Sequence, residues 1–363
     1  MVLGSWDMAE FERRAFHFTV FSLLALSLAM SGEALAQSAV SDFYSGPGKI
    51  MKFVVRTTVG GDYDLLSRVL ARHMGKHIPG NPSIVVNNMP AGGGIVAANY
   101  VGQMAPRDGT VLSIIGQGLV VDQALGNSPQ FTSDLRKFNW ISNIVFSNPI
   151  LAVWHTSKTK NLEDAKSRRT SLGTTGAGSV TVQFPTFYNN VLGTKFKLVS
   201  GYPGGQEVNL AMERGEVEGR GSNTYAGYMA SNPDYITSEL IIPLIQIGLQ
   251  KEPGLPNVPL LLDEKVRPEH RALVEFMSKG ATVGRPLATT PEVPQDRLMA
   301  LRKAFDETVV DSDFIEDVKK QRLDIRPMPG EVLEALVREI IGAPTEIIDR
   351  VRILVEPGPV ELE

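Results

Sequence analysis

Apolar positions set the frame of the chain before any single residue suggests chemistry. Ile50 to Val55 is an apolar run closed by Arg56, which predicts a buried strand. Leu65, Leu66, Val69, Leu70 and Met74 then recur at helical spacing, with Arg68, Arg72 and Lys76 opposite, and Pro79-Gly80 stops the predicted helix. Ile84-Val85-Val86 predicts a second strand and Ala91-Gly92-Gly93-Gly94 a loop. Ile95 to Met104 follows as a helix and Thr110 to Ile115 as a third strand. This is a βαβαβ order at about thirty residues per unit, the pattern of a parallel sheet flanked by helices.

The pattern then repeats. Trp140 to Trp154 is apolar except for Ser142, Asn143, Ser147, Asn148 and Pro149, and reads as strands crossing into a second domain. Ser171-Leu172-Gly173 leads through Thr174 to Ser179 into a helix from about Val180 to Val191. Lys197-Leu198-Val199 leads through Gly201-Tyr202-Pro203-Gly204-Gly205 into a helix ending near Glu213. Leu240 to Leu249 is a further buried strand and Pro253 to Pro259 a surface loop. Arg285 to Pro294 reads as a return linker, and Leu298, Leu301 and Phe305 mark a helix face. The expected organisation is an α/β chain. It has a signal segment at 1–36, a flexible stretch at 37–48, one domain of 49–147 plus about 284–330, a second of 148–283, and C-terminal helices over 331–363 packing on both.

The N-terminal pattern differs in kind. Arg13 and Arg14 precede an apolar run from Ala15 to Met30, and Ala34-Leu35-Ala36 offers small residues for cleavage. About sixteen apolar residues are short for a membrane span, which takes about twenty, so this reads as a secretory signal peptide. Acidic Glu10 and Glu12 upstream of the arginines make Met8 an alternative start to Met1. A periplasmic protein is expected. The 363-residue chain has no cysteine and a formal net charge of −4. Its length suits two domains, a disulfide framework and a thiol nucleophile are excluded, and no basic tract points to nucleic acid.

Catalytic constellations fail in turn. His73 and His77 stand four apart on the first helix but lack a third ligand and the glutamate of a His-Glu-x-x-His motif, so they read as exposed helix histidines. His155 and His270 are isolated. Neither Gly-x-Ser-x-Gly nor a phosphate loop ending in Lys-Ser/Thr occurs, and the Gly92–Gly94 spacing is not a dinucleotide fingerprint. No cofactor, metal or enzymatic activity is expected.

The turn Thr57 to Asp64 remains, lodged between a strand and a helix. Helix N-termini present unpaired amides and about half a positive charge, which suits a carboxylate or phosphate. Gly60 and Gly61 would let the backbone approach such a ligand, and Asp62 reads as a helix cap. The matching turns at Thr174 to Ser179 and Tyr202 to Gly205 also end strands, the edge where α/β sheets bind ligands. Apart from Arg56 they carry no cation, so hydroxyls and amides are expected to hold an anion.

Six motifs in this order resemble one family: Gly60-Gly61-x-x-Asp64, Asn88-Met89-Pro90-Ala91-Gly92-Gly93, Ala105-Pro106-Arg107-Asp108-Gly109, Gly176-Ala177-Gly178-Ser179, Tyr202-Pro203-Gly204-Gly205 and Leu255-Pro256-Asn257-Val258-Pro259. Over about Ile50 to Asp349 the chain resembles the tripartite tricarboxylate transporter receptors, also called Bordetella uptake gene or TctC-like proteins. The resemblance implies a two-domain periplasmic-binding-protein fold, a Venus flytrap of type II-like form with a ligand cleft between the domains. It also implies a small organic carboxylate as ligand and the large and small membrane subunits of a tripartite transporter as partners. One jaw would comprise Thr57, Thr58, Gly60, Gly61, Asp62 and Tyr63. The other would comprise Thr174, Thr175, Gly178, Ser179 and Val180, with Gly204, Gly205 and Gln117 nearby. The family usually has proline and further glycine where this chain has Arg56 to Val59, which makes the first jaw bulkier. Arg56 and Arg220 would contribute charge if the ligand is a dicarboxylate, but a place outside the cleft is the expectation for each. Two alternatives stay open: an exported α/β enzyme using the glycine turns for a phosphate or carboxylate substrate, and a binding protein feeding a sensor.

Overall fold

In the computed structural model, residues 38–46, 49–176 and 178–356 are described, and the expected signal segment lies outside them. Eleven strands alternate with helices among those residues: β1 (Ile50–Val55), β2 (Ser83–Asn88), β3 (Val111–Ile114), β4 (Asn139–Asn143), β5 (Pro149–Trp154), β6 (Thr170–Gly173), β7 (Phe196–Val199), β8 (Gly219–Thr224), β9 (Ile241–Gln246), β10 (Pro286–Thr289) and β11 (Met328–Pro329). They form two mixed sheets, ordered β11-β4-β10-β3-β1-β2 and β7-β6-β8-β5-β9. The first three strands run parallel, so Val55 pairs with both Asn88 and Ile114 and their carboxyl ends line up on one edge. In the second sheet Gly173 pairs with Val199 and Arg220, which aligns the corresponding edge. Each sheet with its helices forms one lobe, and the two edges face each other across a cleft.

Burial explains the element choices. Phe53 and Val55 of β1 pack with Leu66 and Leu70 of the helix Asp62–His73 and with Leu301 and Phe305 of the helix Gln295–Val310. A second apolar cluster runs from Val54, Val120 and Trp140 of the first lobe to Phe187 and Tyr188 of the second. The helix Thr345–Val355 joins that cluster through Val351 and Val355. It is tied to both lobes, since Asn190 Nδ2 donates to Leu354 O at 2.8 Å and Arg352 Nε donates to Leu125 O at 2.5 Å. The crossing between β4 and β5 is pinned by buried Glu252, which accepts from Ser147 Oγ at 2.8 Å and from the Asn148 amide at 2.9 Å.

Three segments depart from the sequence reading. Residues 38–45, expected to be flexible, form a helix that buries Val40 and Tyr44, with Tyr44 Oη donating to Gly109 O at 3.1 Å. The stretch read as a return linker contains β10, which is fully buried between β3 and β4. Its flanking prolines resemble loop chemistry, and burial on both sides overrides them. Between the expected helix end at Glu213 and Leu240 lies β8, whose sequence Gly-Arg-Gly-Ser-Asn-Thr has no apolar run, yet every residue of it is buried. Its glycines let a helix sit directly on the sheet: a Cβ on Gly221 would lie 2.1 Å from Thr181 O.

Candidate functional site

Three helix N-termini open on the cleft: Asp62–His73 after Gly61, Val180–Leu192 after Ser179, and Gly205–Glu213 after Gly204. Their first-turn amides and aligned dipoles make the cleft wall electropositive. Around them the lining includes Thr57, Gly61, Asp62, Tyr63, Gln117, Thr175, Ser179, Val180, Gly204 and Gly205, all singled out by sequence. The lobes already touch. Gly93, at φ +67, passes so close to the second lobe that a Cβ there would stand 2.9 Å from the Ser179 amide nitrogen. Gln206 Nε2 donates to Gly60 O at 2.8 Å, Gln183 Nε2 to Gly118 O at 3.3 Å, and Thr58 Oγ1 to Glu207 Oε2 at 3.1 Å.

Four expected residues are placed otherwise. Thr58 and Gly60 are used in those lobe-to-lobe bonds, Thr174 is buried against Ser200 Oγ at 2.9 Å, and Gly178 packs on Ile95 and Leu119. None of the four lines the cleft.

The charges of the site differ most from expectation. Arg56, Arg220 and Arg285 all line the cleft, against the reading that put Arg56 and Arg220 outside it. Arg285, at the head of β10, donates through Nε to Asp62 Oδ2 at 2.8 Å and through Nη2 to the same oxygen at 2.5 Å. It also donates to Thr224 Oγ1 at 3.1 Å and Gln117 Oε1 at 3.3 Å. Asp62 therefore caps nothing: Gly61 holds the cap position without a side-chain bond, and Asp64 accepts from the Gly60 amide at 2.9 Å. Burial pushes the Asp62 carboxyl pKa up, but Arg285, aided by Arg220 and Arg56, outweighs it and holds the pKa below the usual carboxylate value.

Arg220 and Arg56 have no carboxylate within ion-pair distance among the described residues. Arg220 is buried in the middle of the second sheet, where it donates only to neutral acceptors, at 3.1 Å to Ser222 O, 3.1 Å to Asn209 Oδ1 and 3.4 Å to Gly205 O. Arg56 donates through Nη2 to Gly93 O, and its Nε is buried with no partner. The Tyr63 ring accepts both neighbours, with Arg56 4.7 Å and Arg285 4.4 Å from its centroid. Thr57 Oγ1 and Ser222 Oγ are likewise buried without partners and line the same cleft. Unsatisfied buried polar atoms are rare in native folds, and here three of them belong to residues that line one cleft.

The histidines are also corrected. His73 and His77 are half-buried rather than exposed, bonding Asp317 at 2.9 Å and Asp311 at 2.8 Å through Nε2. These bonds tie the first helix to the helix Ser312–Lys320.

Comparison with known proteins bears on the architecture. No family model matches the chain. A curated relative from Pseudomonas sp. strain P51, a UPF0065 protein in the tcbD-tcbE intergenic region, is 25% identical over 351 residues, covering 92% of each chain. Among solved structures, the periplasmic binding protein BugD superposes with a TM-score of 0.66 at 19% identity, over 85% of this chain and 98% of its own. The fold is that of the Bug and TctC-like periplasmic binding proteins. MatC from Rhodopseudomonas palustris, solved with bound malate, superposes at a TM-score of 0.65 with 20% identity, over 86% of this chain and 100% of its own. The resemblance carried by the sequence motifs thus extends to the two-domain α/β architecture.

Proposed function

We propose that the protein is a periplasmic solute receptor, not an enzyme, that captures a small organic carboxylate between its lobes. It would hand the ligand to the membrane subunits of a tripartite tricarboxylate-type transporter. The observation that carries this reading is that three arginines and two hydroxyl residues whose oxygens lack partners all line one cleft. A carboxylate would accept from Arg56 and Arg220, from Thr57 and Ser222 hydroxyls, and from the helix-end amides at Asp62, Val180 and Gly205. Arginine thus supplies the charge that hydroxyls and amides were expected to supply alone. Malate in MatC favours a carboxylate here, given the shared architecture. The two lobes are assigned as residues 49–147 plus about 284–330 and residues 148–283, and the N-terminal segment is assigned to export.

The test is calorimetry and thermal shift on the purified protein against mono-, di- and tricarboxylates, phosphate and sulfate. Saturable binding of a carboxylate is expected, and Arg220→Gln weakens it by about 10- to 100-fold, the loss of a charge-assisted hydrogen bond worth about 1.5–3 kcal/mol. A protein that binds phosphate alone, or none of the panel, sinks the proposal.

A further inference from the structure

Four charged residues line the cleft, and they do not balance: Arg56, Arg220 and Arg285 face Asp62. Asp62 is spent on Arg285, whose side chain is only 5% exposed, and the pair lies against Thr224 of the opposite lobe. Glu207 stands at the rim on Thr58 and does not line the cleft. Asp64 is turned away onto Arg68 and Asn88, at 2.9 Å from each. Two guanidiniums thus remain without a counter-charge, one from each lobe, Arg56 after β1 and Arg220 on β8. Arg220 is buried and Arg56 half-buried, and a ligand that brings the missing negative charge relieves the cost of holding an unpaired cation away from water.

We propose that Asp62 sets the charge number of the ligand. By neutralising one of three arginines it leaves a site matched to a doubly charged anion, such as a dicarboxylate that reaches Arg56 with one end and Arg220 with the other. A singly charged ligand leaves one guanidinium unpaired. A triply charged ligand finds the third arginine occupied and meets the Asp62 carboxylate across the cleft, where like charges repel more strongly than in water. This rests on the carboxylate-receptor reading above and narrows it.

The experiment separates charge from size. Calorimetry compares succinamate, succinate and 3-phosphonopropionate at a pH where the phosphonate is fully ionised, and repeats the series one methylene longer. The native protein is expected to bind the dicarboxylate about tenfold or more tightly than either relative. Asp62→Asn raises the affinity of the phosphonate relative to the dicarboxylate by about tenfold. Arg285→Gln shifts preference by a similar factor toward the singly charged amide. The double variant removes the pair without changing the charge balance and restores the native order, and it decides the matter if either single variant fails to fold. Ratios unmoved in the single variants, or a double variant unlike the native protein, overturn the role of Asp62 and leave the receptor reading intact. Native protein that binds only singly or only triply charged carboxylates overturns the doubly charged ligand. Native protein that binds no carboxylate overturns the receptor itself.

Discussion

Asp122, in the helix Gly118–Leu125, has one hydrogen bond, from Ser128 Oγ at 3.0 Å, and its second oxygen is buried without a partner. Burial outweighs that bond and pushes its pKa up from 3.8 to about 6. A carboxyl raised in the folded state favours folding below its unfolded pKa, and that contribution is lost as pH rises through about 6. Replacing it by asparagine removes the titration. The melting temperature of Asp122→Asn relative to the native protein is therefore expected to rise between about pH 5 and pH 7.5 in scanning calorimetry; a constant difference contradicts this. Among the cleft-lining residues, sequence reached the ones that sit in glycine turns, Thr57, Asp62, Thr175 and Ser179, because helix N-termini after strands are readable in one dimension. It put Arg56 and Arg220 outside the cleft and did not single out Arg285, because an arginine alone carries no sign of whether it points inward. Asp62 was found but given the wrong partner, since the guanidinium that donates to it lies 223 residues away in the chain.

At the scale of elements, the strands that could be read were those with apolar residues in a run or before a glycine turn, β1 to β7 and β9. Of the three that were missed, β8, β10 and the two-residue β11, the first two each deliver a cleft arginine. β8 is polar because it lies between β6 and β5 with a helix pressed on it through glycine, and β10 is short and bracketed by prolines. Both owe their strand character to neighbours that a local window does not see. The close seat of the helix Val180–Leu192 on β8 has a measurable consequence. Gly221→Ala places a methyl group against the Thr181 carbonyl oxygen, a main-chain atom that cannot swing away. It is expected to destabilise the protein by about 1–3 kcal/mol in chemical denaturation. Ligand affinity falls in parallel, because Arg220 is its neighbour. Stability equal to the native protein's contradicts that packing.

For the molecule as a whole, the two-lobe plan was legible from the repeated strand, turn and helix, together with the motif order. The helix over residues 38–45 and the bridging path of the helix Thr345–Val355 were not, since each is defined by what it packs against. The lobes are joined by that helix and by the crossing strands, and they meet at a cleft whose two uncompensated guanidiniums belong to different lobes. Such an arrangement is a loaded spring. On the proposed reading, Arg56 and Arg220 repel each other when no anion is bound, against the hydrogen bonds that join the lobes. On the same reading a bound anion draws both charges onto a shared counter-ion, so one pair of residues would act in both directions. Salt screens the repulsion, over about 10 Å at 0.1 M. Small-angle scattering of the ligand-free protein is accordingly expected to show a radius of gyration that shrinks as sodium chloride is raised, and Arg220→Gln to remove most of that response. A radius indifferent to salt would mean that the opening force lies in the hinge. The cleft charges would then serve recognition alone.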